Sequence, residues 1–118
     1  METLTVIING PPYGDEKVWN ALRLATASVS ASIGTSVNVF LLGDSVNATK
    51  KGQKPPEGYY NLEKMLRDLL GSGGKVSACG TCLNARAIAK DDLIEGVEVG
   101  TILKLAGWIK ESTKVLSF

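Results

Sequence analysis

The stretch LTVIINGPP, residues 4–12, decides the fold. Its first five residues are largely β-branched and, apart from Thr5, apolar, a pattern typical of a strand buried on both faces of a parallel sheet. The Asn-Gly-Pro-Pro run ends that strand. Asp15 and Glu16 then suit the first turn of a helix, which we expect to reach about Ser32. The sequence therefore opens with a strand–turn–helix unit.

The same alternation continues to residue 118. Helical spacing of Leu62, Met65, Leu66, Leu69 and Leu70 predicts a further helix, which the glycines at 71–74 end. Residues 47–58 are rich in Lys, Gly and Pro, and we expect a mobile surface loop there with a role as a lid or subunit contact. The remaining predicted elements are a strand over 36–42, a strand over 75–78, a helix over 82–90, a last helix capped by Thr101 and a strand over 114–118. Strands alternating with helices predict one α/β domain with a mostly parallel sheet of four to five strands.

Composition excludes several classes of function. The chain carries 13 Lys+Arg against 12 Asp+Glu, and its densest cationic stretch, Lys50, Lys51 and Lys54, is interpreted as a solvated loop, so no nucleic-acid partner is predicted. No segment is apolar enough for a signal peptide or a membrane span, which predicts a cytoplasmic protein with reduced thiols. The absence of histidine excludes Ser-His-Asp and Cys-His catalysis and His-ligated metals.

The cysteine pair Cys79 and Cys82 is the one plausible chemical centre. It follows a predicted strand and opens a predicted helix, where backbone N–H groups, including that of Thr81, and the helix dipole favour a thiolate. Arg86 lies four residues after Cys82 on the same helical face and is predicted to stabilise the thiolate further. Gly80 allows a substrate sulfur to approach the backbone. Two alternatives stay open: both cysteines are inert and buried, or they belong to a zinc site that needs two more ligands.

Three other side chains are candidates for the walls of a pocket at the carboxyl ends of the strands. Asn9 and Tyr13 lie in the first loop, although turn formation alone would also select such residues. Arg23 could present an anion-binding group to the crevice or lie in a subunit contact. An ordinary exposed arginine packed on Trp19 is an equal alternative.

Four blocks, in order along almost the whole chain, resemble the DsrE/DsrF-like family, in a branch that carries Cys-Gly-Thr-Cys. They are PYGDE (12–16) leading into NALRLA (20–25), VFLLGD (39–44), CGTCLNAR (79–86) and KVLSF (114–118). The resemblance implies a three-layer α/β/α sandwich, flavodoxin-like in outline, and assembly into homotrimers or hexamers. It also implies intracellular sulfur trafficking without a metal or organic cofactor, with the cysteine at position 79 receiving sulfane sulfur as a persulfide.

The chain departs from the family pattern at two positions. Ala87 stands where members often have glycine, which suggests a slightly tighter helix. Cys82 is a second thiol that the established relay proteins lack, and it could attack a persulfide on Cys79 to form a disulfide. We therefore carry three hypotheses. In the first, Cys79 transfers sulfur between donor and acceptor proteins or small sulfane compounds, with Cys82 as its partner or resolving thiol. The second is a plain thiol–disulfide switch, and the third is a non-enzymatic oligomeric assembly module.

Overall fold

The computed structural model describes residues 2–118 and contains a five-stranded sheet in which all neighbouring strands are parallel. The spatial order of the strands is β4-β3-β2-β1-β5. The strands are β1 (Thr3–Ile8), β2 (Ser36–Leu41), β3 (Lys75–Cys79), β4 (Glu98–Gly100) and β5 (Lys114–Ser117). The α-helices are α1 (Lys17–Val29), α2 (Leu62–Gly71), α3 (Gly80–Ala85) and α4 (Ile102–Glu111), and 3-10 helices span Gly43–Thr49 and Lys90–Asp92.

The helices cover both faces of the sheet, which confirms the predicted α/β architecture. The crossovers from β1 to β2 and from β2 to β3 run in one direction across the sheet, so right-handed connections place α1 and α2 on one face. The return from β4 to β5 runs in the opposite direction and places α4 on the other face. There Trp108 of α4 meets the buried ring of Phe40 edge-on, with centroids 6.0 Å apart.

Apolar burial along the helices holds these layers together. Helix α1 buries four residues and α2 buries three, and each large side chain removed from water contributes about 1.5–3 kcal/mol. The residues concerned are Val18, Ala21, Leu22 and Ala25 on α1 and Leu62, Leu66 and Leu69 on α2. Asn61 caps α2 by accepting the Lys64 N–H at 3.1 Å, and Thr101 caps α4 in the same way, as predicted for Thr101.

Several predicted boundaries are wrong. Helix α1 ends at Val29 rather than near Ser32, and the predicted helix over 82–90 is replaced by α3, which ends at Ala85. Ala87 adopts φ of +55°, a left-handed conformation that favours glycine, so the expected tighter helix does not form there. Strand β4 was not predicted, because a three-residue edge strand carries too few residues for a periodic pattern.

The predicted mobile loop is also wrong for its first part. Residues 47–49 belong to a 3-10 helix whose Val46, Ala48 and Thr49 are buried. Downstream, one carboxylate oxygen of Glu63 accepts the N–H groups of Gly52 and Gln53 at 2.8 and 2.9 Å. This segment is therefore fixed to α2 by hydrogen bonds.

Strand β1 lies inside the sheet, between one strand that is near it in sequence and one that is far from it. It pairs with β2 on one side and with the C-terminal β5 on the other. Hydrogen bonds extend the second pairing at both ends, from Thr3 N–H to Thr113 Oγ1 and from Asn9 N–H to the Phe118 carbonyl, each 2.9 Å long. Within residues 2–118 no helix is long and apolar enough to cross a membrane.

Candidate functional site

Strands β1, β2 and β3 end at the same level of the sheet, as the sequence predicts. In the parallel register Ile8 pairs with Leu41, and Leu41 pairs with Ala78. The segments that follow therefore leave the sheet at one edge, where parallel α/β sheets hold their ligands. The residues brought together there include Asn9, Gly43 and Cys79, and the Asn9 carbonyl oxygen lies 3.7 Å from the point where a Gly43 Cβ would stand.

Cys79 is the last residue of β3 and the N-cap of α3. Only 6% of it is exposed to solvent, and burial raises the pKa of its thiol above the ordinary value. The backbone N–H groups of Cys82 and Thr81 face the sulfur and act in the opposite direction, although neither closes a capping hydrogen bond. The expectation that local structure acidifies this thiol is thus wrong for Cys79, because desolvation is the larger effect.

Cys82 is half-buried and lies beside Cys79. Its Sγ accepts the N–H of Gly43 at 3.2 Å, and its thiol also interacts with the Cys79 thiol, which opposes ionisation of Cys79. Gly43 adopts φ of +57°, which lets the chain turn sharply from β2 into the 3-10 helix and direct this N–H at the sulfur. Both cysteines are free thiols in this structure.

Arg86 is near the pair, but its guanidinium is held by other groups. Its Nη2 and Nε donate to Asp44 Oδ1 at 2.7 and 3.1 Å, and its Nη1 donates to the Cys82 carbonyl at 3.1 Å. The guanidinium therefore ties the end of α3 to the start of the 3-10 helix Gly43–Thr49. This contact fixes the geometry in which Gly43 meets the Cys82 sulfur, whereas direct stabilisation of a Cys79 thiolate by Arg86 stays a prediction.

Gly80 and Gly100 make room for the close approach of β3 and β4 beside Cys79. A Cβ on Gly80 would lie 3.1 Å from Val99 Cγ1, and a Cβ on Gly100 would lie 2.2 Å from the hydroxyl oxygen of Ser77. A cavity of about 280 Å³ borders Gly80 and Val99 on this side of α3. Thr81 contributes its backbone N–H to the site, whereas its side chain is exposed to solvent.

The other two predicted pocket residues, Tyr13 and Arg23, have their contacts in an aromatic column. Tyr13 stacks on Tyr60, which stacks on Trp19, with centroids 5.7 and 5.6 Å apart, and the Arg23 guanidinium lies 4.5 Å above Trp19. The Tyr13 hydroxyl donates to Gln53 at 2.6 Å and accepts the Leu62 N–H. These contacts join α1, the loop between β1 and α1, and α2. The role of Tyr13 and Arg23 as pocket walls stays a prediction.

Sequence reasoning missed three residues of the site. Asp44 binds Arg86 from 42 positions away, and nothing in the local pattern signals that pairing. Ser77 is a polar residue inside an otherwise buried strand, which was a readable signal, and Gly100 directly before a capping threonine was another. Among residues 2–118 no group of three or more His, Cys, Asp or Glu side chains is arranged to hold a metal.

These features place the chain in a known family. Residues 2–118 match the DsrE/DsrF-like family, which is associated with sulfur relay, and the chain belongs to it. It is 42% identical to the protein YchN of Escherichia coli strain K12 over the full length of both chains, and the crystal structure of YchN superposes with a TM-score of 0.93. An uncharacterized protein of Methanopyrus kandleri is 41% identical over 100% of this chain and 95% of its own length. A structure from Methanobacterium thermoautotrophicum, 19% identical over 98% of this chain and 99% of its own, shares the fold with a TM-score of 0.79.

The burial of Cys79 predicts how its reactivity depends on pH. Because its pKa is raised, less of the thiol is ionised at neutral pH than in an unfolded chain, and only the thiolate is alkylated. We expect the rate of alkylation by iodoacetamide to climb about tenfold per pH unit, with a midpoint above that of the same cysteine in the denatured protein. Peptide-resolved mass spectrometry measures both rates, and a lower midpoint in the native protein would contradict this prediction.

Proposed function

We propose that this chain handles sulfane sulfur, with Cys79 as the acceptor and Cys82 as its partner or resolving thiol. The observation that carries the proposal is the placement of two free thiols at the carboxyl edge of a parallel sheet, Cys79 as the last residue of β3 and Cys82 in the first turn of α3. Membership of a family associated with sulfur relay supports it. The N–H groups of Thr81 and Cys82, which face the Cys79 sulfur, favour negative charge on an acceptor sulfur.

The proposed reaction is an exchange without net oxidation. The Cys79 thiolate attacks the outer sulfur of a donor persulfide R–S–SH, an S–S bond to Cys79 forms, and R–SH leaves with the proton that Cys79 gave up. Thiosulfate would serve in the same way and release sulfite. An acceptor thiol then takes the outer sulfur, or the Cys82 thiol attacks Cys79 Sγ, closes a disulfide and releases hydrogen sulfide.

The partners follow from this chemistry. We propose sulfur donor and acceptor proteins or small sulfane-sulfur compounds, and no metal or organic cofactor, since the exchange needs only thiols. A cytoplasmic location would keep both cysteines reduced and ready to accept sulfur.

A second candidate function is a thiol–disulfide switch. The same placement of two free thiols three residues apart favours oxidation of the pair to a disulfide, with two electrons and two protons passing to a disulfide substrate. The 6% exposure of Cys79 favours the third hypothesis, an assembly module with inert cysteines.

Sulfur loading separates these functions. The reduced protein is incubated with a persulfide donor, and its intact mass and Cys79 peptide are measured. Sulfur transfer requires a gain of one sulfur atom on Cys79. Because resolution by Cys82 would also end in a disulfide, the same measurement is made on Cys82→Ser: a loss of two hydrogens in the wild type without any gain of sulfur in Cys82→Ser would identify the switch. An unchanged mass of both proteins at a pH that ionises both thiols would overturn both reactive functions.

We further propose that the chain forms a homotrimer or homohexamer through β4 and α4. Ile102 and Leu103 are 63% and 80% exposed, and Val99 beside Gly80 is 44% exposed, so this apolar surface borders the cysteine site. Helix α4 buries only Leu105 within the chain, which leaves its outer side without a partner in the same chain. Contiguous exposed apolar surface of this kind marks an interface.

A charged substitution tests the assembly. Leu103→Glu should lower the molar mass measured by light scattering at matched concentration, because a carboxylate would have to be desolvated in the interface. Ile33→Glu is the control, since Ile33 is equally apolar and 67% exposed but lies after α1. A monomeric parent protein, or the same mass for Leu103→Glu as for the control, would overturn this proposal.

A further inference from the structure

The hydroxyl of Ser77 is buried without a partner. Ser77 lies on β3 with no exposed surface, and among residues 2–118 its Oγ is the only buried side-chain nitrogen or oxygen without a hydrogen-bond partner. The other buried hydroxyls are satisfied: Thr5 meets Ser112 Oγ at 2.6 Å, and Ser45 and Thr49 donate to backbone carbonyls. An unmatched buried hydroxyl lowers stability, so its presence calls for a functional explanation.

This hydroxyl is directed toward the level of Cys79. Ser77 and Cys79 are two residues apart on one strand, so their side chains lie on the same face of the sheet. Ser77 Oγ stands only 2.2 Å from the position that a Cβ on Gly100 would take, and Gly100 is the residue paired with Cys79. The side chain therefore leans along β3 toward the cysteine, into space that Gly100 leaves free. The Cys79 thiol itself is not a hydrogen-bond partner of Ser77.

We propose that Ser77 is a positioning residue that donates its hydrogen bond to the outer sulfur of a persulfide on Cys79; this inference rests on the proposed function. Loading adds one sulfur atom about 2 Å beyond Cys79 Sγ, which extends the acceptor toward the free hydroxyl. The outer sulfur carries negative charge once it ionises, and a hydrogen bond to a charged acceptor is stronger than one between neutral groups. The resting protein thus keeps an unsatisfied donor that the loaded protein satisfies.

Ser77→Ala distinguishes this role from a structural one because it moves two quantities in opposite directions. Removal of the orphaned hydroxyl should raise the Tm of the unloaded protein by about 4 °C. The half-life of the Cys79 persulfide should fall about tenfold, the value of one lost charge-assisted hydrogen bond. Both are measured with Cys82→Ser present, so that attack by Cys82 does not contribute to the loss of sulfur, and the persulfide is followed by intact mass in thiol-free buffer.

Thr5→Val is the matched control, because Thr5 is a buried hydroxyl on the same face of the sheet that already has a partner. It should lower the Tm and leave the persulfide half-life unchanged. A half-life in Ser77→Ala equal to that of the parent would overturn the inference while leaving the proposed function intact. A parent that never gains sulfur on Cys79 would overturn the proposed function and this inference with it.

A second measurement needs no substitution at position 77. Loading the Cys82→Ser protein, with Ser77 intact, should itself raise its Tm, since the outer sulfur satisfies the buried hydroxyl. If Ser77→Ala does not fold, this change in Tm on loading tests the proposed hydrogen bond by itself. An unchanged or lower Tm in the loaded protein would show that Ser77 Oγ gains no partner.

Discussion

Cys79→Ser should abolish sulfur loading completely. A serine hydroxyl is a weak nucleophile without an adjacent base, and the chain contains no histidine to act as one. Cys82→Ser should still load, and its persulfide should persist longer than that of the wild type, since the thiol that could displace it is gone. Intact-mass measurement of all three proteins after incubation with the same persulfide donor checks this pair of expectations.

The two variants also test which thiol comes first. Cys82 is the more exposed cysteine, and the N–H of Gly43 is directed at its sulfur. If Cys79→Ser still gains sulfur and Cys82→Ser does not, the roles are reversed: Cys82 is the acceptor and Cys79 the partner thiol. That result would retain sulfur handling at this site and reject our assignment of Cys79.

Gly100→Ala should destabilise the protein by about 3 kcal/mol. Its Cβ would lie 2.2 Å from Ser77 Oγ and 2.9 Å from Cε2 of the buried Phe40 ring, so the Ser77 hydroxyl would have to rotate and the ring would have to move, or β3 and β4 would have to separate. Overpacking of a filled core costs about 1–3 kcal/mol, and these two contacts place Gly100 at the upper end of that range. Thermal or urea unfolding followed by circular dichroism measures the loss.

Gly107→Ala is the control for Gly100→Ala. Nothing lies within 4 Å of its added Cβ in the middle of α4, so alanine should stabilise the helix by about 0.5–1 kcal/mol. Adding Ser77→Ala to Gly100→Ala should recover part of the lost stability, because the closer of the two clashes disappears. Equal stability of Gly100→Ala and the wild type would mean that β3 and β4 pack less closely than described.

The layered fold could be predicted because its main elements carry strong local patterns. Residues 4–8 are apolar except for Thr5, and Leu62, Leu66 and Leu69 repeat at helical spacing, so burial and sequence pattern agree in both. Edge elements lack such patterns. The three residues of β4 form a strand only because β3 offers an open edge beside them, and the 3-10 helix Gly43–Thr49 is buried by its neighbours rather than by its own periodicity.

The site was predictable in position and only partly in chemistry. The order of strands placed Cys79 at the carboxyl edge, a consequence of topology alone. The pKa of its thiol depends on how many atoms surround it, which spacing along the chain does not reveal. Cys82 and Arg86 do contact each other, as their i,i+4 spacing predicts, but Asp44, which follows β2, determines where the guanidinium points.

The location of β1 between β2 and β5 has a consequence for biosynthesis. Its partner in β2 is made soon after β1, whereas the residues of β5 are separated from it by about the whole length of the chain. While the ribosome is still translating the intervening residues, one side of β1 has unpaired backbone donors and acceptors open to other nascent chains. Folding during synthesis therefore stays incomplete until residue 117 has emerged, and chaperone capture of shorter nascent chains is the expected result.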